Sequence, residues 1–126
     1  MNEPHWVVRG GIAQAVDLQN GYREHLAVPG LSGFSVQAHP VLSIDELAAA
    51  GQFSNRQISY IAHDDLVAAA QSCGYNVSII PSPGWGYHHT VTAATMAGCV
   101  LADLPDDLAT VLSACFMRMP NPAPRP

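Results

Sequence analysis

The sequence contains no lysine, and charged residues of either sign are few. All five basic residues are arginines, and they face ten acids, which gives a net charge of −5 at pH 7. Without lysine the chain cannot form a P-loop, a Schiff base or a lysine general base. The arginines are scattered, whereas a protein that binds nucleic acid broadly has clustered basic residues. We therefore expect no broad nucleic-acid surface, although one arginine can still bind a small phosphorylated ligand.

Disulfide motifs, a signal peptide and long apolar runs are also missing from the sequence. Three isolated cysteines, Cys73, Cys99 and Cys115, form no CxxC motif, and their odd number favours free thiols in a reducing cytosol. The stretch MNEPHWVVRGG lacks the basic start and apolar run of a signal peptide. No apolar run approaches the roughly 18 residues that a membrane span requires. These features predict a cytoplasmic protein with no membrane segment.

The residues that are present suffice for one folded core. The chain has 126 residues, of which 48% are apolar and 12% are charged, the composition of a single globular domain. Apolar periodicity separates strands from helices, and Ser43 with Glu46 forms a capping box at one helix start. Asp64 is a candidate cap for the following helix. The predicted strands are 5–11, 33–38, 57–62, 76–80, 87–93 and 99–104, and the predicted helices are 13–27, 43–51, 65–74 and 105–116.

This order of elements predicts an α+β fold. Short connections and late antiparallel strands favour a single domain over residues 1–119, with one curved mixed or antiparallel sheet and helices packed against it. The last seven residues, PNPAPRP, contain four prolines and cannot continue as a helix or a central strand. We predict that residues 120–126 form a Pro-rich tail or a short docking segment.

The stretch SPGWGYHHTV, residues 82–91, carries the most distinctive side chains. Neighbouring side chains of a strand point to opposite faces, so His88 and His89 cannot both ligate one metal ion, and we expect no metal site. His88 and Thr90 share one face, where a neutral imidazole can move a proton and a hydroxyl can hold a phosphate oxygen. The candidate catalytic residues are thus His88, His89 and Thr90. The alternative is that His89 packs half-buried while His88 and Thr90 are solvated.

Two resemblances give these residues a functional context. The C-terminal half, from DDLVAAAQSCGYNVSII through GYHHTV to CVLADLPDDLATVLSACF, resembles HicA-type ribonuclease toxins. That resemblance implies a histidine on a strand that cleaves messenger RNA within a fold like that of double-stranded-RNA-binding domains. The basic surface of such toxins is not found in this sequence.

The N-terminal half gives the second resemblance. The stretches VVRGG and GFSVQ resemble the first two motifs of ADP-ribosyltransferase-like domains, which include small bacterial toxins. This implies that Arg9 binds the phosphates of NAD, that Ser35 braces the cofactor-binding strands, and that a histidine of the HH pair contacts NAD. The late Glu or Gln of that family has no counterpart here. The alternative for Arg9 is a structural ion pair with Asp17 or Asp103.

Aromatic residues near the histidines complete the candidate cofactor site. Trp6 and Trp85 could form an aromatic wall for a nicotinamide or a base, and the alternative for these tryptophans is a core position. Tyr87 joins Trp85 as a candidate cofactor-binding residue. The overall pattern RGG … GLSGFSVQ … HHTV … NPAP also resembles small proteins of high-GC actinobacteria. The sequence therefore predicts a toxin-like enzyme that transfers ADP-ribose or hydrolyses NAD, with an antitoxin or other protein as a possible partner. A ribonuclease toxin and a non-catalytic acidic binding module remain alternatives.

Overall fold

A computed structural model describes residues 3–24 and 32–126. Over these residues strands and helices largely alternate along the chain, as the sequence predicts. The strands are β1 (Trp6–Gly10), β2 (Phe34–His39), β3 (Gln57–Ala62), β4 (Tyr75–Pro81), β5 (His88–Thr95) and β6 (Met117–Pro120). The helices are α1 (Ala15–Glu24), α2 (Ile44–Gly51), α3 (His63–Ser72) and α4 (Asp106–Cys115). The predicted α+β fold class is confirmed.

The strands form one six-stranded sheet in the order β4-β5-β2-β1-β3-β6. All of its strand pairs are antiparallel. Strand β1, the first in the chain, lies inside the sheet between β2 and β3, and the β4–β5 hairpin forms one edge. The hairpin that carries the HH pair is therefore placed beside β2, which carries Ser35.

Helices cover both faces of this sheet, three on one side and one on the other. Successive residues of a strand point to opposite faces, so Val7 joins the core under α1, α3 and α4, whereas Val8 joins the smaller core under α2. Leu18, Leu66 and Leu108 supply helix residues to the first core, and Leu47 supplies one to the second. The described residues include no helix long and apolar enough to cross a membrane.

Local capping signals account for some helix starts and fail at one. The capping box predicted at Ser43 and Glu46 is confirmed, with both reciprocal hydrogen bonds formed. The prediction that Asp64 caps the next helix is wrong, because α3 begins at His63, two residues before the predicted start, and has no side-chain cap. Asp64 instead bonds the imidazole of His63 at 3.0 Å, and Glu3 contacts the other ring nitrogen of His63 at 3.1 Å. The Asp64 side chain therefore bonds the neighbouring imidazole and does not bond the backbone amides at the start of α3.

The predicted strand 99–104 is wrong, and the last strand was missed. Residues 99–104 make only one β-bridge, between Val100 and Ala94, after the turn at Gly98. The carbonyl of Leu101 bonds the Tyr22 hydroxyl at 2.6 Å instead of a neighbouring strand. Strand β6 forms at the opposite edge, where it pairs with β3.

The C-terminal segment is packed against the domain. Pro120 is the last residue of β6, and the Asn121 side chain is buried beneath the loop that precedes β3. Its amide donates to the carbonyl oxygens of Phe53 and Asn55 at 3.1 and 2.9 Å. The amide of Arg125 also bonds the Phe53 carbonyl, at 2.8 Å. Residues 121–125 thus pack against the loop that precedes β3.

The predicted helix end at residues 25–27 lies outside the described residues.

The sheet divides at one end of the β1–β2 pair. Pairing between these strands ends at Val8 and Gln37. Beyond that point β1 stays paired with β3 as far as Gly10, whereas β2 stays paired with β5 back to Phe34. The separation leaves the backbone of β2 without its β1 partner just where Arg9 and Ser35 lie. We call this place the sheet split.

Candidate functional site

The two histidines of β5 lie on opposite faces of the sheet, as the alternation rule requires. His88 is directly opposite Gln37 of β2, and His89 is opposite Val36. Gln37 lies against α2 near Gly51, whereas Val36 belongs to the core under α1, α3 and α4. The structure thus separates the two predicted catalytic histidines, and only His88 is on the same face as Thr90.

His88 is part of a continuous chain of side-chain hydrogen bonds. Its Nε2 lies 2.5 Å from the Ser35 hydroxyl on β2, and its Nδ1 lies 2.8 Å from the Ser82 hydroxyl. The Ser82 hydroxyl also bonds Thr90 Oγ1 at 2.8 Å. Ser35 and Thr90 are directly opposite each other on β2 and β5, so His88 reaches Ser35 diagonally. Three residues predicted from the sequence, Ser35, His88 and Thr90, therefore meet in one cluster.

Ser82 was not predicted as a site residue. It follows β4, and its backbone amide bonds the His88 carbonyl at 3.1 Å, which extends the β4–β5 pairing by one step. A hydroxyl in a tight hairpin, six residues before a histidine, is a weak sequence signal, because serine is common in turns for conformational reasons alone. The register of the hairpin decides that this hydroxyl meets the imidazole.

The loop after Ser82 packs closely over the imidazole. Gly84 has a positive φ of +155°, and an added Cβ there would lie 2.5 Å from Cγ of His88. A side chain at this position would have to displace the ring. Glycine therefore lets the loop backbone approach the imidazole and restrict its orientation.

A buried glutamine fixes the next part of this loop. Gln37 is only 3% exposed. Its side-chain Nε2 donates to the Trp85 carbonyl at 2.8 Å, and its side-chain Oε1 accepts from the backbone amide of Tyr87 at 2.7 Å. Gly86 lies between Gln37 and α2, where an added Cβ would be 2.6 Å from the Ala50 carbonyl oxygen. Gln37 was also missed from the sequence, since a single glutamine in a strand has no distinctive pattern.

Arg9 lies at the sheet split and contacts the backbone of Ser35. Its Nη1 donates to the Ser35 carbonyl at 2.6 Å, which replaces part of the missing β1 pairing. The guanidinium lies 5.3 Å from the centre of the Phe34 ring and close to Gly21 of α1. Burial lowers the pKa of Arg9 from its usual value, and the carboxylate of Asp17 opposes this effect. Arg9 thus reaches Ser35 from the α1 side, whereas His88 reaches it from the α2 side.

The alternative ion pairs of Arg9 are not formed in the structure. Asp103 instead bonds Arg23 at 3.1 Å on the surface. Over residues 3–24 and 32–126, no carboxylate lies within ion-pair distance of Arg9. Because a guanidinium has five N–H donors, the single bond to Ser35 leaves donors that an anion at the split could use.

The two aromatic residues of the loop are on the surface. Trp85 is 70% exposed, so the core alternative for this tryptophan is wrong. Tyr87 is also exposed, and its ring makes an edge contact with His39 at a centroid distance of 5.0 Å. Trp6, by contrast, packs beside the small core under α2. Trp85 and Tyr87 thus lie on the surface of the loop that leads to His88, where they are accessible to a ligand or a partner.

His89 has a different environment from His88. Its Nδ1 lies 2.8 Å from the Tyr87 carbonyl, which fixes the ring beside the backbone. Burial lowers the pKa of His89, the Tyr87 carbonyl opposes this shift, and the neighbouring His88 and His39 add to it. Burial therefore favours the neutral form of His89, and the ring lies on the face away from Ser35, where it cannot act on the same reacting group.

The chemistry of the cluster is that of a hydroxyl beside an imidazole base. Among the described residues, no three His, Cys, Asp or Glu side chains converge as metal ligands. One step further along β5, the buried Thr92 hydroxyl has no hydrogen-bond partner in the described part of the chain. The arrangement can accept a proton at His88 Nε2 and offer hydroxyl groups to a polar ligand.

Comparisons with protein-family models, curated proteins and solved structures found no match.

Proposed function

We propose that the protein is a small, toxin-like cytoplasmic enzyme that cleaves NAD between nicotinamide and ribose and passes ADP-ribose to water or to an acceptor. The observation that carries this proposal is the contact of Arg9 and His88 with the same residue, Ser35, at the sheet split. Because β1 and β2 are unpaired beyond Val8 and Gln37, our proposal has an extended ligand pass between these strands, from Arg9 on the α1 side to His88 on the α2 side.

The remaining donors of Arg9 suit the pyrophosphate of NAD. A planar guanidinium binds phosphate oxygens through paired hydrogen bonds, and Arg9 already has one donor fixed on the Ser35 carbonyl. Because one arginine suffices for a single dinucleotide, the acidic net charge of −5 is compatible with this substrate. The same charge opposes the long polyanion that a ribonuclease must hold.

The ribose would then lie beside His88, with Trp85 or Tyr87 against one of the two rings of NAD. Departure of nicotinamide leaves a cationic, electron-poor C1′, and the attacking hydroxyl must lose a proton. In our proposal His88 Nε2 takes that proton, while Ser82 and the loop at Gly84 hold the imidazole. Thr90 acts through Ser82 and does not touch the substrate. The three cysteines are free thiols, which agrees with a reducing compartment.

The test is nicotinamide release from NAD, followed by chromatography. A general base typically contributes between about a hundredfold and ten-thousandfold to the rate, so we expect His88→Gln to lower the rate by at least about a hundredfold. His89→Gln is the matched control, because His89 lies on the opposite face, and it should retain most of the activity. Wild-type protein that releases no nicotinamide, or equal loss in the two variants, would contradict the proposal.

The exposed aromatic residues favour a second candidate, a surface that binds a protein such as an antitoxin. Exposed tryptophan and tyrosine are the residues most often found at the centres of protein interfaces. Trp85 and Val41, 70% and 77% exposed, could bury their side chains under such a partner. Co-expression with the adjacent reading frame tests this candidate. A complex that survives Val16→Ser, on α1, and is lost in Trp85→Ser would support it, and equal binding by both variants would oppose it.

A further inference from the structure

The hydroxyl of Ser35 has the surroundings of an activated nucleophile. Catalytic serines are recognised by a histidine within hydrogen-bond distance and a third group that orients the histidine. Here His88 Nε2 lies 2.5 Å from Ser35 Oγ, and Ser82 Oγ lies 2.8 Å from His88 Nδ1. Ser35 is half-buried, and its hydroxyl lies on the α2 side of the sheet with His88. The proposed hydrolysis of NAD uses the imidazole and gives this hydroxyl no role of its own.

The hydrogen-bond chain is compatible with the required tautomer of His88. When Nδ1–H donates to Ser82, the Ser82 hydroxyl can donate in turn to Thr90 Oγ1. Nε2 then carries the lone pair and accepts the hydrogen bond of Ser35 O–H. Loss of the Ser35 proton to Nε2 gives an imidazolium whose Nδ1–H bond to Ser82 is strengthened by the charge.

We propose that Ser35 is a site of self-modification, at which the protein transfers ADP-ribose from NAD to its own hydroxyl. The choice of donor rests on the proposed function, whereas activation of Ser35 rests on the contacts of His88. In this step a bond forms between Ser35 Oγ and C1′ of the ribose. The bond from C1′ to nicotinamide breaks, its electron pair leaves with neutral nicotinamide, and the Ser35 proton moves to His88 Nε2.

Attack on C1′ develops no oxyanion, so the step needs no oxyanion hole beside Ser35. The product is an ordinary O-glycoside of serine, which has a poor leaving group at neutral pH and should persist. Its pyrophosphate reaches Arg9 only through the sheet split, because the Ser35 hydroxyl lies on the α2 side and Arg9 lies on the α1 side. It also occupies the hydroxyl that faces His88. We therefore expect the modified protein to accumulate and its turnover of NAD to decline with time.

The first experiment incubates the full chain with NAD and records the intact mass and the modified position by tandem mass spectrometry. The expected result is one ADP-ribose on Ser35, absent from Ser35→Ala and from His88→Gln. Ser78→Ala is the control, since Ser78 is an exposed serine of β4 on the same face of the sheet, and it should be modified like wild type. Release of nicotinamide with Ser35 unmodified would overturn the self-modification and leave the proposed function intact.

The second experiment needs no NAD and uses wild-type protein, so it does not depend on the folding of a variant. A fluorophosphonate probe, which reacts with activated serines, should label Ser35 at least about a hundredfold faster than Ser78, since general-base assistance contributes at least that factor. Equal or slower labelling of Ser35 would overturn the inference, whatever NAD does. Rapid labelling of Ser35 without cleavage of NAD would support the activated serine and overturn NAD as its donor.

Discussion

Replacement of Tyr22 by phenylalanine tests how the end of the β2–β5 pairing is stabilised. The Tyr22 side chain extends from α1 and is fully buried, and its hydroxyl accepts a hydrogen bond from the Ala93 amide at 3.1 Å. The same hydroxyl donates to the Leu101 carbonyl at 2.6 Å. Pairing of β2 with β5 ends at Phe34 and Val91, so the Ala93 amide lies just past the end of its neighbouring strand. The phenol hydroxyl supplies the bond that a longer β2 would have made.

Phenylalanine keeps the packed ring and removes only these bonds. A hydrogen bond contributes about 0.5–1.5 kcal/mol net, and a buried group left without a partner costs about 1–3 kcal/mol. The Ala93 amide becomes such a group, whereas the Leu101 carbonyl is only partly buried and can bind water. We therefore expect Tyr22→Phe to lower the free energy of unfolding by about 2–3 kcal/mol, out of the roughly 5–15 kcal/mol usual for a domain.

Urea unfolding measures this difference, and the slope of the transition should stay unchanged, because little additional surface is exposed. Tyr75→Phe is the matched control, since the Tyr75 hydroxyl makes only a 3.4 Å surface contact with Asp107. We expect that variant to change the free energy of unfolding by less than about 0.5 kcal/mol. If both variants lie within about 0.5 kcal/mol of each other, the account of Tyr22 is refuted.

Three further predictions concern the loop, a helix start and pH. Gly86→Ala should cost about 2–3 kcal/mol, because φ is +62° and an added Cβ would lie 2.6 Å from the Ala50 carbonyl oxygen. Gly98→Ala has similar strain (φ +94°) but no atom within 4 Å, so about 1 kcal/mol is expected in urea unfolding. Equal costs would contradict the contact. Ser43→Ala removes the capping box and should cost about 1 kcal/mol in thermal unfolding, and an unchanged midpoint would oppose this. Burial lowers the pKa of His89 below the 6.5 of an exposed imidazole, so the unfolded chain binds the proton more tightly. Stability from this residue is present above about pH 6.5 and lost as the pH falls, and His89→Gln should flatten that part of the urea-unfolding profile; a profile identical to wild type would contradict it.

The helices and most strands could be predicted because their signals are local. The capping box of α2 and the apolar spacing of α4 are read within a few residues, and both elements form close to their predicted bounds. Strand β6 was missed because MRMP is only four residues long, contains no β-branched residue and ends in proline. It becomes a strand only because β3 offers an open edge. The predicted strand 99–104 did not form, because the Leu101 carbonyl bonds the Tyr22 hydroxyl and is not available to a partner strand.

The candidate site was predicted in part. Ser35 was selected from the resemblance to ADP-ribosyltransferase-like domains, and His88 and Thr90 were selected from their shared strand face. The structure brings all three into one hydrogen-bonded cluster. Arg9 and a histidine of the HH pair were both expected to contact NAD. The structure places Arg9 on the α1 side of Ser35, opposite the side on which His88 lies. Their proposed roles in NAD cleavage stay predictions until nicotinamide release is measured.

By itself the sequence determined which side chains share a strand face. The period of two separates His88 from His89 in any sheet that contains this strand, so the prediction needed no tertiary contact. The tertiary structure alone decided that β2 lies beside β5 in the register that pairs Ser35 with Thr90. It also decided that β1 and β2 separate at Arg9. Strand order and register depend on residues far apart in the chain, and a shift of one residue would point His88 away from Ser35.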